Sequence, residues 1–160
     1  CALPILDRNN GAPSFVEALK ALKNGEIVGV FPEATISQSF ELKAMKSGVI
    51  RLAIESKAPV LPTVIWGSQR IWTKKVARDF SRAGHPIIVS IGAPLKFDSD
   101  EDPEAALTRL KKAMQDLLDI AQREYPDSPI GQRWAPARLG GTAPTPEMVE
   151  LESKRNRKEI

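Results

Sequence analysis

Amphipathic stretches along the chain predict its first two helices. Residues 14–24 carry apolar side chains on one helical face, and Ser14 with Glu17 forms a capping box at the start. Residues 46–57 repeat this helical spacing of apolar positions. The side chains expected to face inward are Phe15, Val16, Leu19, Leu22, Ile50, Ala53 and Ile54. Both helices are therefore expected to pack one apolar face against the rest of the protein.

Short, nearly all-apolar runs predict strands. They lie at residues 27–31, 59–66 and 86–91, and such runs are typical of strands that are covered on both faces. Strands that alternate with helices predict an α/β fold, with a mostly parallel or mixed sheet flanked by helices on both faces. Ligands in such sheets bind at the carboxyl ends of strands, which is where Phe31, Pro32 and Glu33 fall.

The last third of the chain begins with a long helix and then changes in composition. Asp102 is expected to cap this helix, with Pro103 at its first position and Tyr125 near its end. From residue 126 onward, proline and glycine are frequent and no apolar stripe recurs, which is typical of a linker. We therefore predict a domain at residues 1–128, followed by a Pro/Gly-rich linker and basic tail at 129–160 that the fold does not need.

Composition narrows the classes of function. The formal net charge is +3 with a pI near 9.1, which suits an anionic partner but does not by itself indicate one. Cys1 and His85 are the only residues of their types, so an internal disulfide is excluded and neither a metal site nor a cofactor is expected. No apolar run reaches the roughly 18 residues that span a bilayer. Because the chain opens on Cys1 with a strand-like segment at residues 2–6, we expect a further part upstream.

Hydroxyl groups and cations follow the first predicted strand. Thr35 and Ser37 offer hydroxyl donors, and Lys43 and Lys46 precede the predicted start of the second helix, where backbone N–H groups favour anions. The alternative is a plain turn with lysines on a solvated face, and the residue pattern alone leaves both interpretations open. Neither a P-loop nor a dinucleotide-binding glycine motif occurs in the sequence.

Four sequence blocks in a fixed order distinguish between an anion-binding loop and a plain turn. They are LPILDR at 3–8, GVFPEATIS at 29–37, KSGVIRLA at 46–53 and APVLPTVIWG at 58–67. Together they resemble the glycerolipid acyltransferases, in which a strand ending in Arg is followed by FPEGTRS, a K-x-G helix start and a V-P-V-x-P-V strand. The resemblance covers about residues 2–95, and four ordered blocks are far more specific than any one of them.

The resemblance implies transfer of a fatty acyl group from acyl-CoA or acyl carrier protein to a lysophosphatidic acid-type acceptor in phospholipid biosynthesis. It implies no cofactor, and it implies a peripheral position at the cytoplasmic face of the membrane. Trp72, beside Lys74 and Lys75, is then either an interfacial contact or a partly buried core residue. Residues 68–80 are expected to form a short helix that carries this tryptophan.

The resemblance also implies a set of substrate-binding residues. They are Arg8, Phe31, Pro32, Glu33, Ala34, Thr35, Ser37 and Lys46. Arg8 would bind the acceptor's phosphate, since a guanidinium pairs with phosphate through two hydrogen bonds, and Glu33 would hold the loop by accepting backbone N–H groups. The family's Gly and Arg are Ala34 and Ile36 here, so Lys46, with Lys43 or Arg70, is expected to supply the missing charge.

The family's catalytic H-x-x-x-x-D block does not occur in this sequence. Its His removes the proton from the acceptor's hydroxyl and its Asp orients that His. His85 is followed five positions later by Ser90 and lies after the FPEATIS block, so we assign no catalytic residue and expect the dyad upstream of Cys1. The chain alone is then expected to show no turnover.

Two other functions remain to be distinguished from the enzyme. One is a non-catalytic module that binds phosphate or lipid in the same pocket. The other is a nucleic-acid binder that uses the basic residues at 154–158, but that segment lacks interleaved aromatic residues and a recognisable motif. We therefore expect no nucleic-acid partner.

Overall fold

The computed structural model of the protein describes residues 11–74, 78, 80 and 84–156. Its helices are α1 (Gly11–Lys23), α2 (Gly48–Ser56), α3 (Pro103–Glu124) and α4 (Pro146–Asn156), and its strands are β1 (Thr63–Trp66) and β2 (Ile88–Ile91). Short 3₁₀ turns lie at Ser68–Arg70 and Ala137–Leu139. The described residues form two compact units. The first unit draws on Cys1–Ala34, Met45–Pro62 and Ile91–Met114, and the second unit on Thr35–Ala44, Thr63–Ser90 and Gln115–Ile160.

The core of the first unit forms between α2 and the first half of α3. It contains Val49, Ile50, Ala53, Phe97, Ala106 and Leu110. Ile50 and Ala53 face inward as predicted, and fully burying a side chain such as Ile50 or Leu110 contributes about 1.5–3 kcal/mol. The helix ends where Lys57 adopts a left-handed conformation at φ 58°, so the predicted helix over 46–57 is confirmed with slightly shorter bounds.

The first predicted helix is present, but its start and its buried face differ from the prediction. Because α1 begins at Gly11, Ser14 lies inside the helix and cannot be the N-cap of the expected capping box. The buried positions are Ala18 and Ala21, whereas Val16 is 65% exposed. The other residues predicted to face inward are partly buried, namely Phe15, Leu19 and Leu22. This face packs against α2, where small side chains allow two helices to approach closely. The sequence pattern marked the larger apolar residues and missed the alanines.

Asp102 caps α3 as the sequence predicts. Its carboxylate accepts a hydrogen bond from the backbone N–H of Ala105 at 2.9 Å, and its carbonyl accepts one from Ala106 at 2.9 Å. Pro103 occupies the first helical position, where its missing N–H leaves no helical hydrogen bond unmade. The start of this helix is therefore determined by local chemistry.

Residues 27–31 do not form the predicted buried strand. They lie outside any strand of the structure, and Ile27 and Phe31 are 82% and 80% exposed. A buried strand needs hydrogen-bonded neighbours and covered faces, and none of the described residues pairs with this run as a strand. The apolar segment at residues 2–6, which also has a strand pattern, lies outside the described residues.

The sheet in the described residues consists of β1 and β2. β1 buries Val64 and Trp66 while Ile65 is half exposed, so it alternates and is not covered on both faces as predicted. Within the first unit, Val60 and Leu95 form an isolated antiparallel bridge. Helices and a small sheet agree with the mixed α/β class, and the larger, mostly parallel sheet stays a prediction.

The proline- and glycine-rich segment after residue 126 is folded within the second unit. Ala135, Pro136 and Ala143 are buried, and the backbone N–H of Gly131 donates to the carbonyl of Gly140 at 2.8 Å. The structure therefore differs from the linker that composition predicts, because tight turns bury small residues here without an amphipathic stripe. The division at residues 128 and 129 itself stays a prediction. The segment ends in the helix α4, in which Val149 is buried.

Candidate functional site

A tight turn follows the apolar run that ends at Phe31. The backbone N–H of Ala34 donates to the carbonyl of Phe31 at 3.0 Å, with Pro32 in the second position that this residue favours in turns. The backbone N–H of Lys46 donates to the carbonyl of Pro32 at 2.8 Å, which ties this turn to the start of α2. We call residues 31–46 the candidate loop. Within the first unit, the backbone of Lys46 thus fixes the turn while its side chain is exposed.

Ala34 adopts a backbone conformation that favours glycine. Its φ is 55°, in the left-handed region, where Cβ comes too close to a carbonyl oxygen. This position is the one at which the resembling FPEGTRS motif has glycine. Because this chain has Ala34 where the motif has glycine, the backbone of the loop is locally strained. The left-handed backbone conformation is therefore the physical reason for glycine in the motif.

We expect Ala34→Gly to stabilise the protein by about 0.5–1 kcal/mol. Relief of the left-handed strain exceeds the entropy that glycine adds to the unfolded chain. Ala44→Gly is the matched control, because Ala44 is exposed and has no positive φ, and there the entropy alone should destabilise the protein by about 0.4–1 kcal/mol. Urea unfolding midpoints measure both changes. Equal destabilisation by the two substitutions would contradict the strain at Ala34.

The second unit contains the hydroxyl-rich part of the candidate loop. The ammonium of Lys74 donates to Thr35 Oγ1 at 2.7 Å, although the two residues are 39 positions apart in sequence. Ser37 Oγ and Ser39 Oγ lie 3.1 Å apart, and Ser39 is buried. Sequence reasoning considered Lys74 only as a membrane contact and missed its approach to Thr35, because no local pattern indicates so distant a pair.

Arg138 binds the far end of this hydroxyl-rich segment. Its Nε donates to both carboxylate oxygens of Glu41, at 2.8 and 2.9 Å. Its Nη2 donates to Asp119 Oδ1 at 3.0 Å and also to the side-chain oxygen of Gln122. The backbone N–H of Glu41 in turn donates to Ser39 Oγ at 3.4 Å. The sequence analysis did not single out Arg138, which lies in the segment predicted as a linker.

Arg70, a predicted source of charge for the loop, is engaged in another contact. Its guanidinium forms an ion pair with Asp127, donates to the Tyr125 hydroxyl at 3.2 Å and lies 4.8 Å from the centre of the Trp134 ring. Burial lowers the pKa of Arg70, but the hydrogen bonds to Asp127 and Tyr125 outweigh that effect, so the pKa lies above its ordinary value. Arg70 is therefore a structural residue of the second unit.

An open pocket of about 600 Å³ lies beside the end of α3, within the second unit. Asp119, Gln122, Asp127 and Arg138 line it together with neighbouring residues. Asp127 pairs with Arg70 and Asp119 with Arg138, so these charges already have partners. Within the described part of the chain, no three His, Cys, Asp or Glu side chains come together to hold a metal ion.

The predicted site residues divide between the two units. Phe31, Pro32, Glu33, Ala34 and Lys46 lie in the first unit, and Thr35 and Ser37 in the second. Arg8 lies outside the described residues, so its contact with the acceptor's phosphate stays a prediction. The role of Glu33 in holding the loop also stays a prediction. None of the helices described for this chain is long and apolar enough to cross a bilayer.

Comparison with known proteins identifies relatives over part of the chain. Residues 4–66, which include Arg8 and the whole candidate loop with Lys46, match the family model named Acyltransferase. A 1-acyl-sn-glycerol-3-phosphate acyltransferase of Cocos nucifera is 30% identical over 103 residues, which are 61% of this chain and 32% of that protein. Enzymes of the same name from Bacillus subtilis (strain 168) and Limnanthes douglasii are 40% identical over 67 residues and 28% identical over 133 residues.

These matches cover 41% of this chain and 32% of the Bacillus protein, and 79% of this chain and 44% of the Limnanthes protein. The chain thus spans about a third of the length of the first of these relatives. No solved structure matches it. The ordered motifs around the candidate loop and the family match agree, and together they support assignment of residues 4–66 to the glycerolipid acyltransferase family.

Proposed function

We propose that the protein transfers a fatty acyl group to the free hydroxyl of a lysophosphatidic acid-type acceptor in phospholipid biosynthesis. The observation that carries this proposal is the family match over residues 4–66, which contains the turn at Phe31–Ala34 and the hydroxyl group of Thr35. Acyl-CoA or acyl carrier protein would be the donor. The relatives named as 1-acyl-sn-glycerol-3-phosphate acyltransferases support this reaction, since their names specify the acceptor.

In the proposed mechanism, this chain contributes mainly to binding the acceptor's phosphate. Charged hydrogen bonds to phosphate are stronger than neutral ones. Lys74 is the cation that lies beside the Thr35 hydroxyl in the second unit, and the resemblance assigns the same role to Arg8 and Lys46. Lys74 already donates to Thr35 at 2.7 Å, so a phosphate oxygen at this hydroxyl would lie within reach of the same ammonium group. Ile36, where the family motif has Arg, is 43% exposed and provides no charge there.

Acyl transfer also needs a general base for the acceptor's hydroxyl. In the resembling family that base is the His of the H-x-x-x-x-D block, and no such block occurs in these 160 residues. His85 has Ser90 five positions later, so it lacks the Asp that orients the family's His. We therefore propose that His85 is not the base and that this chain supplies acceptor binding.

The proposed function can be tested by binding and then by turnover. Lysophosphatidic acid and glycerol 3-phosphate should each bind to the chain in calorimetric titration, whereas glycerol without a phosphate should not. A full-length protein that includes these residues should then transfer an acyl group to lysophosphatidic acid. Binding without turnover in that protein would favour the alternative, a non-catalytic phosphate- or lipid-binding module. Absence of binding to both phosphate compounds would refute the acceptor site.

We further propose that the protein works on a membrane surface at the cytoplasmic face, because its substrates are lipids. Trp72 supports this position, since it is 56% exposed and is not the core residue that the sequence left as an alternative. The guanidinium of Arg78 lies 4.5 Å from the centre of its ring, and the exposed Lys74 follows two residues later. Exposed tryptophan beside cations suits the headgroup region of an anionic bilayer.

Vesicle flotation tests this surface. The chain should float with vesicles of anionic phosphatidylglycerol more than with neutral phosphatidylcholine, and Trp72→Ser should reduce the bound fraction severalfold, since an interfacial tryptophan contributes roughly 1.5–3 kcal/mol when it is buried. Leu151→Ser is the matched control, because Leu151 is 68% exposed and carries no proposed role. If both variants float like the unmodified chain, Trp72 is not a membrane contact.

A further inference from the structure

The candidate loop is held at Glu41 by a residue far away in sequence. Arg138 lies 97 positions beyond Glu41, outside the residues that match the family model. Its Nε donates to both oxygens of the Glu41 carboxylate, at 2.8 and 2.9 Å. Because one N–H donates to both oxygens at nearly equal distances, the two carboxylate oxygens lie symmetrically about this N–H group. This contact therefore restrains both the position and the orientation of Glu41.

Arg138 is itself held from the other side. Its Nη2 donates to Asp119 at 3.0 Å and to Gln122, and both of these residues lie on α3. Gln122 is buried, so at least one of the two anchors is fixed by packing. The guanidinium thus joins a packed helix to the loop, and an Arg fork can do so with a rigid geometry that the flexible ammonium of lysine lacks.

The restraint continues from Glu41 toward the hydroxyl groups. The backbone N–H of Glu41 donates to Ser39 Oγ at 3.4 Å, and Ser39 Oγ lies 3.1 Å from Ser37 Oγ. Ser39 is buried, so this short chain of polar groups has few alternative partners in water. Phe40, between Ser39 and Glu41, has a φ of 58°, a conformation that a bulky residue keeps only when its surroundings impose it.

We propose that Arg138 is a positioning residue for acceptor binding: through Glu41 it keeps residues 37–41 in the conformation that places the loop's hydroxyl groups for the acceptor's phosphate. The inference rests on the proposed function, because it assigns Arg138 to the same site. Arg138 does not touch the phosphate in this account. The pairs it forms are partly exposed, with 39% of its side chain accessible, so their effect on overall stability is small and their effect on the loop is local.

Two readouts on the folded chain test the proposal. Arg138→Ala and Glu41→Ala should each weaken binding of glycerol 3-phosphate about fivefold, and the double variant should bind no more weakly than either, because both changes break one contact. Arg138→Lys keeps the charge but loses the planar guanidinium, so its affinity for glycerol 3-phosphate should lie between those of the unmodified chain and Arg138→Ala. The backbone amides of Ser37, Ser39 and Glu41 should also change their NMR shifts and exchange faster in Arg138→Ala, with or without ligand.

Arg133→Ala is the matched control, since Arg133 is exposed, lies five residues away and loses the same charge. It should change neither readout. Unchanged affinity and unchanged amides in a folded Arg138→Ala protein would overturn the positioning role, even if the unmodified chain binds glycerol 3-phosphate. If the unmodified chain does not bind glycerol 3-phosphate but the amides of Arg138→Ala change, the restraint of the loop by Arg138 is supported. The proposed acceptor is then refuted. Should Arg138→Ala not fold, Glu41→Ala provides the same comparison.

Discussion

Ending the chain at Pro129 should destabilise the protein by roughly 1.5–3 kcal/mol, because it removes the partly buried Trp134 together with buried neighbours. The deleted segment contains Trp134, whose ring centre lies 5.3 Å from that of Tyr125 and 4.8 Å from the Arg70 guanidinium. It also contains Ala135 and Pro136, which are fully buried. Composition predicts that this segment is dispensable, and the packing of the second unit leads us to expect the opposite.

Urea unfolding and near-ultraviolet circular dichroism measure the effect. The shortened chain should unfold at lower urea, and the aromatic signal from the Tyr125 and Trp134 environment should be lost. Trp134→Ala in the full chain should reproduce part of the loss. Ile130→Ala, at a side chain that is 73% exposed, should cost less than about 0.5 kcal/mol and serves as the control. A shortened chain with an unchanged unfolding midpoint would support the original linker interpretation.

Arg8→Ala in a full-length, active enzyme should raise the KM for the acceptor about tenfold or more, while the KM for the thioester donor barely changes. A charge-assisted hydrogen bond is worth about 1.5–3 kcal/mol, and the proposed contact is with the acceptor's phosphate only. Lys74→Ala should act in the same direction with a smaller effect, because the ammonium is exposed and water partly replaces it. Ile36→Arg should be tolerated or should lower the acceptor KM, since it restores the family's residue.

The matched controls for these changes are Arg133→Ala and Lys111→Ala, which remove the same charges from exposed positions that carry no proposed role. Steady-state kinetics with the acceptor and the donor varied separately distinguish the two substrates. Unchanged acceptor kinetics in Arg8→Ala would remove Arg8 from the site. Equal effects on both substrates would indicate a general loss of structure and would not support a phosphate contact.

Much of the local structure could be predicted because local chemistry determines it. The cap at Asp102 and the proline that follows it specify the start of α3 without help from distant residues. The periodic apolar positions of α2 likewise identify Ile50 and Ala53 as core residues. The four ordered motif blocks indicated the resemblance to the acyltransferases, since their residue types and spacing are properties of the sequence itself, and the match over residues 4–66 agrees with them.

Predictions failed where an outcome depends on partners that are distant in sequence. The apolar run at residues 27–31 has a strand pattern, yet hydrogen-bonded neighbours decide whether a strand forms, and the described residues supply none. In α1 the packing partner selects Ala18 and Ala21 over the larger Val16, because close approach of two helices requires small side chains. Composition also described residues 129–160 as a linker and tail, whereas turns and small buried residues such as Ala135 and Ala143 pack part of this segment.

The sequence by itself determined the ordered motif blocks that resemble the acyltransferases, the segments that form α1, α2 and α3, and the motif residues from Phe31 to Ser37. Only the tertiary structure decided which charges reach the loop. It brings Lys74 to Thr35 and Arg138 to Glu41, pairs separated by 39 and 97 positions, and it engages Arg70 with Asp127. Ion pairs and hydrogen bonds act over a few ångströms in space whatever the separation along the chain, so a single sequence contains no local pattern from which such pairs can be identified.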